Sequence, residues 1–102
     1  MIQSISVLPA SVERALSYLK KQVGSRGKLV LFGSRARGTT RAGADFDIGM
    51  IPSTPIPWRV FCVWKELTAD LAWPYRVDLV DLSRASGEFR DAVEPDCKLL
   101  HQ

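Results

Sequence analysis

The run Leu29-Val30-Leu31-Phe32 is apolar at every position and stops at Gly33. A strand without polar alternation is one buried on both faces, in the middle of a sheet. A second apolar run, Ile48-Gly49-Met50-Ile51, follows after a polar stretch that carries glycines. That link is too short for a long crossover helix, so the two strands are expected to run antiparallel. The stretch itself holds Gly33-Ser34-Arg35-Ala36-Arg37-Gly38 and then Asp45-Phe46-Asp47. The sheet must therefore be built around a loop that carries glycine, arginine and carboxylate side chains.

These residue types suit a phosphate chain and its metal ions. Glycine at Gly33 permits a turn and lets a ligand approach the backbone closely. Ser34 is a good N-cap for a short helical turn through Arg35 to Arg37, which would aim free N–H groups at an anion. Its hydroxyl can also donate to a phosphate oxygen. Asp45 and Asp47 share one face of the second strand, because side chains alternate with period two, and Phe46 points to the core. Two carboxylates on one face repel unless a cation lies between them. Hard oxygen donors of this kind suit Mg²⁺. The stretch is not a P-loop: Gly33 and Gly38 have the glycine spacing, but Thr39 stands where the lysine belongs.

A third carboxylate appears downstream. Tyr75 to Leu82 reads as a strand, with Asp78 in the middle of its apolar residues. An unpaired charge there would be expensive. Either a metal ion shared with Asp45 and Asp47 or a salt bridge to Arg76 or another arginine would compensate it. Asp81 faces the other side of that strand and is expected to cap or to form an ion pair.

Gly-Ser, ten intervening residues and Asp-x-Asp, here Gly33-Ser34, Arg35 to Ala44 and Asp45-Phe46-Asp47, resembles the signature of the DNA polymerase β nucleotidyltransferase superfamily. The fuller string Gly-Ser-Arg-Ala-Arg-Gly looks like its minimal nucleotidyltransferase (MNT) branch. The resemblance implies a polymerase β palm-like core and transfer of a nucleoside monophosphate, AMP from ATP, to a hydroxyl. It implies Asp45, Asp47 and Asp78 as catalytic, metal-holding carboxylates, with two Mg²⁺ ions clamping the attacking and leaving oxygens. Gly33 and Ser34 would hold phosphates. Arg35 and Arg37 would stabilise charge or contact a partner. It further implies a helical HEPN partner, a toxin neutralised by AMP added to one of its tyrosines.

The rest of the chain supplies the frame. Val12, Ala15, Leu16, Leu19 and Val23 recur at helical spacing, so a helix is expected over Pro9 to Val23, with Pro9 in its first turn or Ser11 as its cap. Pro52, Pro55 and Pro57 make a rigid loop. Trp58 to Ala72 reads as a helix with more apolar surface than one core face requires, for which a buried helix is the preferred reading and a partner surface the alternative. Arg59, Glu66 and Asp70 form its polar side, with Lys65 and Thr68 beside them. Ser83 or Ser86 caps a short last helix, and Lys98-Leu99-Leu100 adds an edge segment. Cys62 is expected in the core, and His101 in a solvated tail. With helix, strand, strand, helix, strand and helix in order, the expected fold is α/β (α+β): a small mixed sheet with helices mainly on one face. The third strand should lie beside the second so that its carboxylate reaches the first two.

Length and charge narrow the function. At 102 residues the chain is expected to form a single domain, residues 1–102. The net charge of +3 is compatible with a polyanionic ligand but is too modest to be a nucleic-acid signature. Cys62 and Cys97 have no zinc-site spacing and suggest no disulfide framework, and no run is long enough to span a membrane. The expected location is the cytoplasm. Two rival functions remain: a non-catalytic module that masks a partner by contact, and a transferase acting on RNA or a small molecule.

Overall fold

Strand β1 (Gly27–Phe32) lies inside a four-stranded sheet, between β2 (Phe46–Pro52) and β4 (Lys98–His101). The computed structural model describes residues 8–33, 45–93 and 97–102, without the side chains of 92 and 93. Strand β3 (Val77–Asp81) adds to the far side of β2, so the order is β3-β2-β1-β4. β1 runs antiparallel to both neighbours, whereas β2 and β3 run parallel. The mixed sheet, the antiparallel first pair, the third strand beside the second and the short edge strand all follow the expectation.

Parallel neighbours need a crossover, and helix α2 (Trp58–Ala72) provides it. It packs with helix α1 (Ala10–Val23) on one face of the sheet. Val12, Ala15, Leu16 and Leu19 of α1 and Phe61, Trp64 and Ala72 of α2 cover Leu29, Leu31, Phe46, Ile48, Met50, Val77 and Leu79. The other face has a smaller cluster of Val30, Phe32 and Leu82, with Val80, Ala85 and Cys97 against it. Helix α3 (Gly87–Val93) adds Phe89, edge-to-face with Phe32 at 6.0 Å between ring centroids. Among the described residues, two of the three α-helices thus share one face. Gly49 makes the second cluster possible: a Cβ there would lie 2.6 Å from Cδ1 of Leu82.

Several local expectations change. Ser11 does not cap α1, whose N-cap is Pro9. It is buried and donates to the Ala72 carbonyl at 2.8 Å, tying α1 to the end of α2. Helix α2 has the expected bounds but is not a buried helix. Its core stripe is Phe61, Trp64, Thr68 and Ala72, while Val60, Val63, Leu67 and Leu71 are exposed. The sheet and α1 cover only one side of it. Thr68, read as part of the wet side, is fully buried, and Cys62 is only half-buried. His101 is not a loose tail: it ends β4, and its Nε2 donates to the Gly24 carbonyl at 2.7 Å. Ser86 caps α3 as expected, accepting from the Phe89 N–H at 3.1 Å. Of a loose lead-in expected over Met1 to Leu8, all but Leu8 lies outside the described residues, as does a helix break expected at Glu94-Pro95-Asp96.

The Thr68 hydroxyl has no hydrogen-bond partner among the described residues. An unpaired buried hydroxyl weakens a fold by about 1–3 kcal/mol, and an apolar isostere removes that penalty. Thr68→Val is therefore expected to raise stability by about 1 kcal/mol, read from urea unfolding midpoints.

Candidate active site

The site begins where β1 ends. Gly33 has φ +76°, a left-handed conformation that glycine tolerates and other residues rarely adopt. Phe32 pairs with Asp47 across the β1–β2 ladder, which brings the Asp47 carboxylate over the Gly33 backbone. A Cβ on Gly33 would collide with Oδ2 of Asp47 and lie 3.2 Å from its Cγ. The glycine therefore does two things: it turns the chain and it leaves room for the carboxylate.

Strand parity and register gather the acids. Phe46, Ile48, Val77 and Leu79 face the helices, so Asp47 and Asp78 face the opposite side. Asp47 and Asp78 are direct register partners on parallel strands. Asp45 stands two residues before Asp47, just ahead of β2. Asp47 and Asp78 thus sit at one end of two adjacent strands, on the face that α1 and α2 leave open, and Asp45 immediately precedes β2. Ser34, Arg35 and Arg37 lie outside the described residues, so Gly33 alone represents the predicted phosphate-holding set here.

Two cationic side chains meet these acids. Nε of Arg76 lies 3.3 Å from Oδ1 of Asp45, while the Arg76 carbonyl accepts from the Phe46 N–H at 2.9 Å. Nζ of Lys65 lies 2.8 Å from Oδ1 of Asp78 and donates to the Leu79 carbonyl, also at 2.8 Å. The environment of Asp78 differs from the expected one. Its side chain is 53% exposed rather than enclosed, because β3 is an edge strand. Its ion-pair partner is a lysine of α2, and Arg76 serves Asp45 instead. The sequence offered no signal for Lys65, because its pairing spans a helix-to-strand connection.

Asp81 shows how parity separates roles on one strand. It points to the helix side, is 5% exposed, and is fully engaged. Oδ1 accepts from the backbone N–H and hydroxyl of Ser83 at 3.0 and 2.6 Å, and Oδ2 from Nε of Arg84 at 3.2 Å. Arg84 also donates to the Ile56 carbonyl at 2.7 Å and stacks over Trp58. This is the capping and ion-pairing role expected from the sequence.

The donor set fits a divalent cation: hard carboxylate oxygens on one face, two of them already paired with positive charge. Among the described residues no three carboxylate, histidine or cysteine side chains are drawn together as a closed metal site. A cavity of about 210 Å³ lined by Val30, Ile51, Leu82, Arg90 and Cys97 lies toward the other end of β2 and contains none of these acids.

The Polymerase beta, Nucleotidyltransferase family matches residues 13–102. The Haemophilus influenzae protein named "Probable protein adenylyltransferase MntA" is 32% identical over 62 residues, 61% of this chain and 54% of that protein. The matched stretch thus spans about half the length of this curated relative. A solved toxin–antitoxin structure with AMP-PNP superposes with a TM-score of 0.69 at 25% identity, covering 88% of this chain and 73% of that one. A Shewanella oneidensis complex of a tri-AMPylated HEPN toxin with MNT antitoxin shares the fold, with a TM-score of 0.67 at 22% identity over 90% of this chain and 71% of that one.

Gly33→Ala is expected to destabilise the protein by about 1–3 kcal/mol through backbone strain alone. The collision would also displace the Asp47 carboxylate. Chemical denaturation measures the first effect, and a shift of the Asp47 side-chain resonances in NMR the second.

Proposed function

The chain belongs to the polymerase β nucleotidyltransferase family, and from that premise we propose that it is a Mg²⁺-dependent transferase moving AMP from ATP to a hydroxyl. The acceptor in this reading is a tyrosine of a HEPN-type toxin, and the chain is its antitoxin. One observation carries the chemistry: Asp47 over Gly33 and in register with Asp78, with Asp45 alongside. The name of the H. influenzae relative and the AMP-PNP-bound toxin–antitoxin neighbour support the nucleotide and the partner. The reading treats residues 1–102 as a single catalytic domain.

Each residue has a part in this reading. Asp45 and Asp47 would hold both Mg²⁺ ions, and Asp78 would share the one nearer the acceptor. The ions would supply charge compensation at the attacking and leaving oxygens. The Asp78 carboxylate would help take the proton of the acceptor hydroxyl. Backbone N–H groups from Gly33 and the Ser34 hydroxyl would hold the outer phosphates. Arg35 and Arg37 would offset their charge or contact the partner. The described residues include no helix long and apolar enough to cross a membrane. Cys62 and Cys97 are free thiols, which suits the reducing cytoplasm proposed as the location.

A second reading, masking by contact alone, is favoured by the outer face of α2. Val60, Val63, Leu67 and Leu71 are exposed at spacings of three and four, a stripe suited to a partner helix. Catalysis and docking are compatible, and only the former needs the acids. Asp78→Asn is expected to lower transfer by about 10²–10⁴-fold, the usual weight of a general base. Intact mass of the partner after co-expression measures it: AMP is added with wild type and not with Asp45→Ala/Asp47→Ala. A partner that is silenced yet unmodified in both cases would leave the masking reading. Leu67→Glu is expected to weaken the complex by about thirtyfold or more, a hot-spot-sized loss, while leaving the fold intact. Calorimetric titration with the partner checks it.

A further inference from the structure

Lys65 lies outside every motif in the sequence, yet its ammonium meets two acceptors at the site. It reaches from α2 around the open edge of β3 to Oδ1 of Asp78 and to the Leu79 carbonyl, both at 2.8 Å. Asp78 is the register partner of Asp47, and Asp45 has its own cation in Arg76. A cluster of like charges on one open face must be offset by positive charge, and these side chains provide it. Both participants in the Lys65–Asp78 pair are about half exposed, at 45% and 53%, so the pair can open without repacking the core.

We propose that Lys65 is a built-in counter-cation of this site: it neutralises Asp78 when no divalent ion is bound and releases Asp78 when one binds. The Leu79 carbonyl is a second anchor that keeps the ammonium at the sheet edge after release. The inference rests on the reading that Asp45, Asp47 and Asp78 hold a divalent cation. A merely structural role, fastening α2 to β3, has a different consequence. Removing a fastener loosens the fold and cannot tighten metal binding, whereas removing a competitor must tighten it.

The test is a titration of the 102-residue chain with Mn²⁺ alone, following the free ion by electron paramagnetic resonance, with circular dichroism melts to confirm folding. Lys65→Met keeps the apolar stem and removes the charge. It is expected to bind Mn²⁺ about thirtyfold more tightly, the effect of one unit charge on a divalent ion about 4 Å away in near-aqueous surroundings. Lys65→Gln should do the same and serves if the Met variant is poorly folded, while Lys65→Arg, which keeps the cation, should match wild type. Asp78→Asn should weaken binding. Equal or weaker Mn²⁺ affinity in the folded Met and Gln variants, with Asp78→Asn still weakened, would overturn the counter-cation and leave the metal-site reading standing. No saturable binding by wild type, or binding indifferent to Asp78→Asn, would overturn both.

Discussion

Burial of β1 on both faces is the constraint from which the rest of the sheet follows. Leu29 and Leu31 are covered by the helices, and Val30 and Phe32 by the smaller cluster beneath. Each such side chain contributes about 1.5–3 kcal/mol when fully buried. A strand buried in this way must also pair its backbone groups on both edges, and β2 and β4 do so. The register that β2 then takes sets Asp47 over Gly33, and its free edge accepts β3, with Asp78 opposite Asp47. Core packing thus places two carboxylates that belong to no core.

The acids show what one sheet can do with two faces. On β3, Asp78 and Asp81 are three residues apart and meet opposite surroundings. Asp81 is buried, and every contact it makes is within the fold: Ser83 and Arg84 fasten the turn after β3, and Arg84 carries on to Ile56. Asp78 faces water and meets a lysine that can swing away. An exposed ion pair of that kind contributes at most about 1 kcal/mol to stability, so its presence at the site is better understood through the charge it offsets than through the fold it holds.

Helix α2 unites the two sides of the molecule. Its inner stripe closes the core, its Lys65 reaches the acids, and its outer stripe is open. Surface of that kind, grouped rather than scattered, is characteristic of a docking face.

Much of this was legible in the chain. The unbroken apolar run before Gly33 identified the central strand, the short link made its neighbour antiparallel, and strand parity put Asp47 opposite Phe46 and Asp81 apart from Asp78. These are local properties, determined by period, turn chemistry and chain reach. Tertiary structure decided the rest: the half-exposure of Asp78, its lysine partner, the buried Thr68, the open stripe on α2 and the anchored His101. Each depends on which element lies next to which, and on how much of a helix a four-stranded sheet can cover. A residue's neighbours from distant parts of the chain set its exposure and its ion pair, and a linear sequence does not carry that information.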